Sequence, residues 1–72
     1  MYSIIFNIDV EYTDGDSASD IATNEENARD FLDECVEESK ETENPVCYYC
    51  ITKTETSGGM IVSEETIEEK SL

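Results

Sequence analysis

Thr23–Asn44 reads TNEENARDFLDECVEESKETEN, and the fold is decided by how this stretch is read. Ala28, Phe31, Leu32, Cys35, Val36 and Ser39 recur at i, i+3, i+4, i+7, i+8 and i+11, the period of one helix face. A capping box opens the stretch: Thr23 can accept from the N–H three residues on, and Glu26 can reach back to the N–H of Thr23. Asn44-Pro45 is the expected stop, because the residue before proline is pushed out of the α region. Asn44 is also expected in the left-handed conformation that ends helices. The stretch therefore predicts one amphipathic helix over residues 23–44.

The opposite face of that helix is a ridge of carboxylates. At roughly 100° per residue, Glu26, Asp30, Asp33, Glu37 and Glu41 fall in one narrow sector, and Glu34 and Glu38 widen it. Like charges at i,i+4 each destabilise a helix by about 0.2–0.5 kcal/mol. Acids in the last turn also oppose the helix dipole. Only Arg29 and Lys40 offset them. Folding alone does not ask for this arrangement, which points to a demand from outside the fold.

Working outward, Met1–Tyr12 alternates Tyr2, Ile4, Phe6, Ile8, Val10 and Tyr12 with Ser3, Ile5, Asn7, Asp9 and Glu11, a period-2 strand. Its even face is expected against the helix. Its odd face holds Asp9 and Glu11 about 6.8 Å apart, of the order of neighbouring phosphates. Thr13–Ala22 carries the turn signal Asp14-Gly15-Asp16 and is read as a loop, adding Asp14, Asp16 and Asp20 to the acidic set. Ile21 or Ala22 is expected to pack on the helix start. Val46–Thr56, rich in Tyr, Ile and Thr, reads as a second strand. Ser57-Gly58-Gly59 is a hairpin turn, and Met60–Thr66 is the third strand. Ile67–Leu72 is expected to fray. Alternation puts Cys47, Tyr49 and Ile51 on one face of the second strand and Val46, Tyr48 and Cys50 on the other.

The fold class is thus α+β, order β-α-β-β: a mainly antiparallel three-stranded sheet in one domain, residues 1–72, with the helix on one face. The last strand is expected in the middle, antiparallel to both others; a right-handed crossover pairing the first two strands in parallel is the alternative.

The charge sets the class of partner. Nineteen acidic and four basic side chains, with no histidine, give a formal net charge of −15. A chain of this size has a radius of gyration of about 11 Å, hence a long dimension of about 30–35 Å and one net charge per ~2 Å, against ~1.7 Å for duplex DNA. Such a surface repels nucleic acid and anionic membranes and attracts basic proteins. Disorder also produces acidic chains, but the helix and strand periods are regular here; salt adaptation does so too, but here the acids are mostly Glu, and Ile and Asn are common.

Chemistry has little support. Cys47-Tyr-Tyr-Cys50 is one CxxC pair with a distant Cys35, short of the four ligands of structural zinc. Three cysteines make an odd number and no disulfide framework. Asp14-Gly15-Asp16 fails the EF-hand pattern, because Val10 and Tyr12 occupy its first two ligand positions. No catalytic residue, cofactor or metal site is expected, and the protein is not expected to be an enzyme. There is no secretory signal and no span-length apolar run, so a cytoplasmic location is expected.

In size, charge and mixed α/β order, with Glu26, Asp30, Asp33, Glu34, Glu37 and Glu41 on the helix and Asp9, Glu11, Asp14 and Asp16 elsewhere, the chain resembles small acidic phage-encoded inhibitors of the DNA-mimic type. The nearest group is the anti-CRISPR proteins; uracil-DNA glycosylase inhibitors and anti-restriction proteins share the strategy. The resemblance is one of composition and layout, without a shared motif. It implies an inhibitor that fills the basic nucleic-acid site of a host nuclease complex; the chain's own charge layout, not a shared motif, makes those ten acids the expected contacts. The competing expectation is an ordinary interaction module or homodimer that uses an exposed apolar sheet face (Ile5, Cys47, Tyr49, Ile51), with the acids serving solubility.

Overall fold

The computed structural model describes all residues, Met1–Leu72, as four strands and one helix: β1 (Tyr2–Tyr12), β2 (Ser17–Ala22), α1 (Glu25–Ser39), β3 (Val46–Ser57) and β4 (Met60–Ser71). The strands form one antiparallel sheet in the order β2-β1-β3-β4, with α1 packed on one face. The class is α+β, but the sheet has four strands rather than three. No helix is long and apolar enough to cross a membrane.

The added strand is β2, which lies within the stretch read as a loop. Its sequence SASDIA has weak strand propensity, yet it pairs with β1 from Phe6↔Ala22 to Glu11↔Ser17. The turn before it needs Gly15 at φ 90°, with Gly15 N–H donating to the Tyr12 carbonyl. This one element explains the corrected strand order. β2 reverses the chain once more before the helix, so the strand after the helix arrives antiparallel to β1 and pairs with it directly. β3, not the last strand, is therefore central, and neither the expected order nor the parallel crossover is formed. β4 lies at the edge and runs through the residues expected to fray, to Ser71.

The helix is shorter at both ends than its sequence pattern. Asn24, not Thr23, is the cap: its side-chain oxygen accepts from the Asn27 N–H at 2.8 Å. β2 runs to Ala22 and pushes the cap one residue along. At the other end Ser39 stops the helix. Its hydroxyl donates to the Val36 carbonyl at 2.9 Å and accepts from the Val46 N–H at 3.0 Å, joining α1 to β3. The helix never reaches Asn44, and no residue other than glycine has positive φ, so the left-handed Asn44 is not found. Asn44 instead accepts from the Thr13 hydroxyl.

The core is Phe6, Ile8 and Val10 of β1, Ala28 and Leu32 of α1, and Val46, Tyr49 and Ile51 of β3. This confirms the even face of β1 against the helix stripe. Ala22, half-buried, packs at its border, whereas Ile21 is exposed. Because Val10 lies opposite Tyr49 and Ile8 opposite Ile51, those β3 residues face the helix. A bulge between Glu11 and Tyr12 shifts the alternation, so that Val46 joins Tyr49 in the core. The expected exposed face of Ile5, Cys47, Tyr49 and Ile51 therefore does not exist; Tyr49 and Ile51 are core.

The molecule measures 43 × 19 × 16 Å with a radius of gyration of 13.3 Å, longer than the sequence estimate. A 15-residue helix spans about 22 Å, while a 12-residue strand spans about 40 Å. The helix thus covers one half of the long β1–β3 ribbon and leaves the other half bare.

Candidate anionic surface

The ten acids expected to form one site are all exposed, but they lie in four places. Glu26, Asp30, Asp33, Glu34 and Glu37 form the outward ridge of α1. Glu41 lies past the helix end, in the turn that leads to β3. Asp9 and Glu11 stand on the opposite side of the molecule, on the sheet face that no helix covers. Asp14 and Asp16 sit in the β1–β2 turn, where the Asp14 carboxylate accepts from the Asp16 N–H at 2.9 Å. The single patch expected from the sequence is therefore corrected to a ridge, a sheet face and two turns.

Cross-strand register defines the open face, because residues directly opposite share a side. Asp9 faces Ser19 on one neighbour and Cys50 on the other; Glu11 faces Ser17 and Tyr48. Farther along, Thr54 lies opposite Glu64, Thr52 opposite Thr66 and Cys50 opposite Glu69. The face is a bed of hydroxyls and carboxylates. Asn7 donates to the buried Thr54 hydroxyl at 3.1 Å, fixing its centre. A shallow hollow there is lined by Asn7, Asp9, Ser19, Asp20, Ile21, Thr52 and Glu64.

Glu64 and Glu69 were missed as parts of this surface. The signal was present in part: alternation along Met60–Thr66 already places Glu64 and Thr66 on one side. What the sequence withheld was the neighbour, β3, that brings them beside Asp9.

The cations are kept off this face. Arg29 binds Glu25 at 3.3 Å and Glu68 at 3.6 Å; Lys40 binds Glu37 at 2.9 Å; Lys53 binds Glu55 at 3.5 Å. Arg29 and Lys40 belong to the helix side. Lys53 lies opposite Phe6 and Lys70 opposite Tyr49, which also places both on the helix side. Of the ten expected acids only Glu37 has a basic partner within 4 Å. That exposed pair contributes little to stability.

Tyrosines register the local field. The Tyr48 hydroxyl is pushed up to about 12 by desolvation, and then by a hydrogen bond to Glu69 and its charge. Tyr49, beside Glu68, and Tyr2, beside Glu55, are raised chiefly by hydrogen bonds to those carboxylates. Burial raises Tyr12 and the Cys35 thiol. The three cysteines are free.

No family model, curated protein or solved structure matches the chain.

Proposed function

We propose that this protein is an acidic DNA mimic, which occupies a Lys/Arg-lined nucleic-acid site of a host defence nuclease complex and blocks DNA binding there, in the manner of anti-CRISPR inhibitors. One observation carries the proposal: carboxylates occupy both broad sides of a rod 43 Å long and 19 × 16 Å across, while three of the four cations are tied up in ion pairs. Fifteen net charges over that length give about one per 3 Å, sparser than the sequence estimate but within a factor of two of the ~1.7 Å of duplex DNA. Charge on two opposite sides suits a channel that surrounds its ligand better than a flat basic patch. A nuclease that reads DNA with Arg and Lys supplies such a channel. A restriction enzyme or a uracil-DNA glycosylase offers related chemistry and stands as the alternative target.

The interaction-module reading loses the apolar face it was built on, since Tyr49 and Ile51 are buried. It keeps one observation, the exposed Met60-Ile61-Val62 run at the start of β4.

Affinity capture from a bacterial lysate, eluted with a salt gradient and then with duplex DNA, tests the proposal. The expected result is a DNA-binding enzyme that salt and DNA both release. Capture of a partner that duplex DNA does not displace would contradict it.

A further inference from the structure

β4 is the end strand of the sheet, and only β3 pairs with it. The helix packs on β1, β2 and β3 and leaves β4 uncovered. The opposite edge, β2, has six residues; β4 has twelve. Proteins blunt such an edge against like strands with proline, charged side chains, bulges or a covering element; on β4 the charges are four glutamates, which deter a like strand but not a basic one. β4 has no proline and a single lysine, Lys70, near its end. Two bulges interrupt its pairing, with Ile67 and Val62 of β4 as the extra residues opposite Ile51–Thr52 and Glu55–Thr56; the register between them, Thr52↔Thr66 to Glu55↔Ser63, is regular.

We propose that the outer edge of β4 takes an extended, lysine- and arginine-rich segment of the target protein as a fifth strand. This rests on the reading above in that the partner surface is basic. The pattern of charge along the edge selects the occupant. Glu64, Glu65, Glu68 and Glu69 lie along β4, and only Glu68 has a basic partner. A second copy paired antiparallel about Glu64–Glu65 would set carboxylate against carboxylate, which is unfavourable. Moving the centre to Ile61–Val62 avoids this but leaves only the few residues of the strand start in register. A basic segment meets opposite charge at every one of those positions. Its backbone would complete the unpaired N–H and C=O groups of the edge, as added strands do. Its side chains on the helix side would flank the hollow between α1 and β4 floored by Leu32, Val36, Tyr49 and Leu72. Exposed Ile61 and Val62, at 62% and 57% accessibility, would receive apolar residues at the other end.

The test uses the full chain, labelled for NMR, and two synthetic octapeptides of alternating lysine and valine. One has a normal backbone. The other is N-methylated at every second residue, which keeps the charge and removes strand hydrogen bonds. The expected result is that the normal peptide binds about tenfold or more tightly than the methylated one and slows hydrogen exchange at alternate β4 amides. Equal binding of both peptides, with shifts spread over α1 and the open sheet face, overturns the fifth strand and leaves the DNA-mimic reading standing. Binding of neither peptide counts against both. A protein already dimeric through β4 by sedimentation, with β4 amides protected before any peptide is added, also overturns it.

Discussion

Tyr49 on β3 donates its hydroxyl to Glu68 on β4 at 2.5 Å, and the same carboxylate oxygen lies 3.6 Å from Arg29 of the helix. One acid thus ties the edge strand both to the core tyrosine and to the helix. Those contacts hold the Glu68 carboxyl below its usual range, the Tyr49 hydrogen bond most of all, with Arg29 and Lys70 adding to it. A depressed carboxyl stabilises the fold above its unfolded value, and the effect is lost as pH falls through the lower folded value. Glu68→Gln should therefore melt a few degrees below the parent at pH 7. The gap should close on acidification below about 4.5, the ordinary carboxyl value. Melting both proteins across that range checks it, and the repulsion among the remaining acids cancels in the difference.

The tyrosines predict an alkaline limit. All four are raised above 10.0, and Tyr48 to about 12. A folded state that holds the phenolic proton more tightly than the unfolded chain loses stability as pH rises above the unfolded value. Stability should begin to fall near pH 9, where the raised Cys35 thiol first contributes, and fall most between 10 and 12 as the tyrosines ionise. Phenolate absorbance followed together with circular dichroism should show ionisation and unfolding as one event.

Ser39 is the buried polar hinge between α1 and β3, 5% exposed and accepting from the Val46 N–H. Ser39→Ala leaves that N–H without a partner inside the fold, at a cost of about 1–3 kcal/mol. Asn24→Ala removes the helix cap and should cost about 1 kcal/mol. Urea unfolding measures both, and the Ser39 variant should be at least as destabilised as the Asn24 variant.

Self-repulsion predicts that salt stabilises the protein. The Debye length falls from about 30 Å at 0.01 M to about 10 Å at 0.1 M, below the 43 Å length of the molecule. The melting temperature should rise over this range and level off above it. A temperature that does not move would contradict a dense charge surface.

Much of the fold was legible. The alternation of Met1–Tyr12 and the 3.6-residue stripe of Ala28, Leu32 and Val36 depend on burial, and burial leaves a periodic trace. β2 left none: an edge strand of Ser, Ala and Asp, largely exposed, looks like a loop. Missing it inverted the chain direction after the helix, and with it the strand order. Alternation rightly set Tyr49 and Ile51 apart from Tyr48 and Cys50, but the bulge between Glu11 and Tyr12 moves Val46 to the Tyr49 side, and only the register with β1 turns that side to the helix. The exposure of the ten acids was legible, because a surface carboxylate needs no particular neighbour. Their division between two sides was not, since the relative facing of strand and helix depends on register. Glu64 and Glu69 join the open face only through β3.

The most direct test measures affinity for the captured enzyme as a function of salt, for the parent and two triple variants. One variant neutralises the helix ridge (Asp30→Asn, Asp33→Asn, Glu34→Gln); the other neutralises the open face (Asp9→Asn, Glu11→Gln, Glu64→Gln). The parent is expected to lose about tenfold or more in affinity between 50 and 200 mM salt. Each variant should bind more weakly and less salt-dependently while melting at a higher temperature. Variants that melt higher yet bind and inhibit as well as the parent would contradict it.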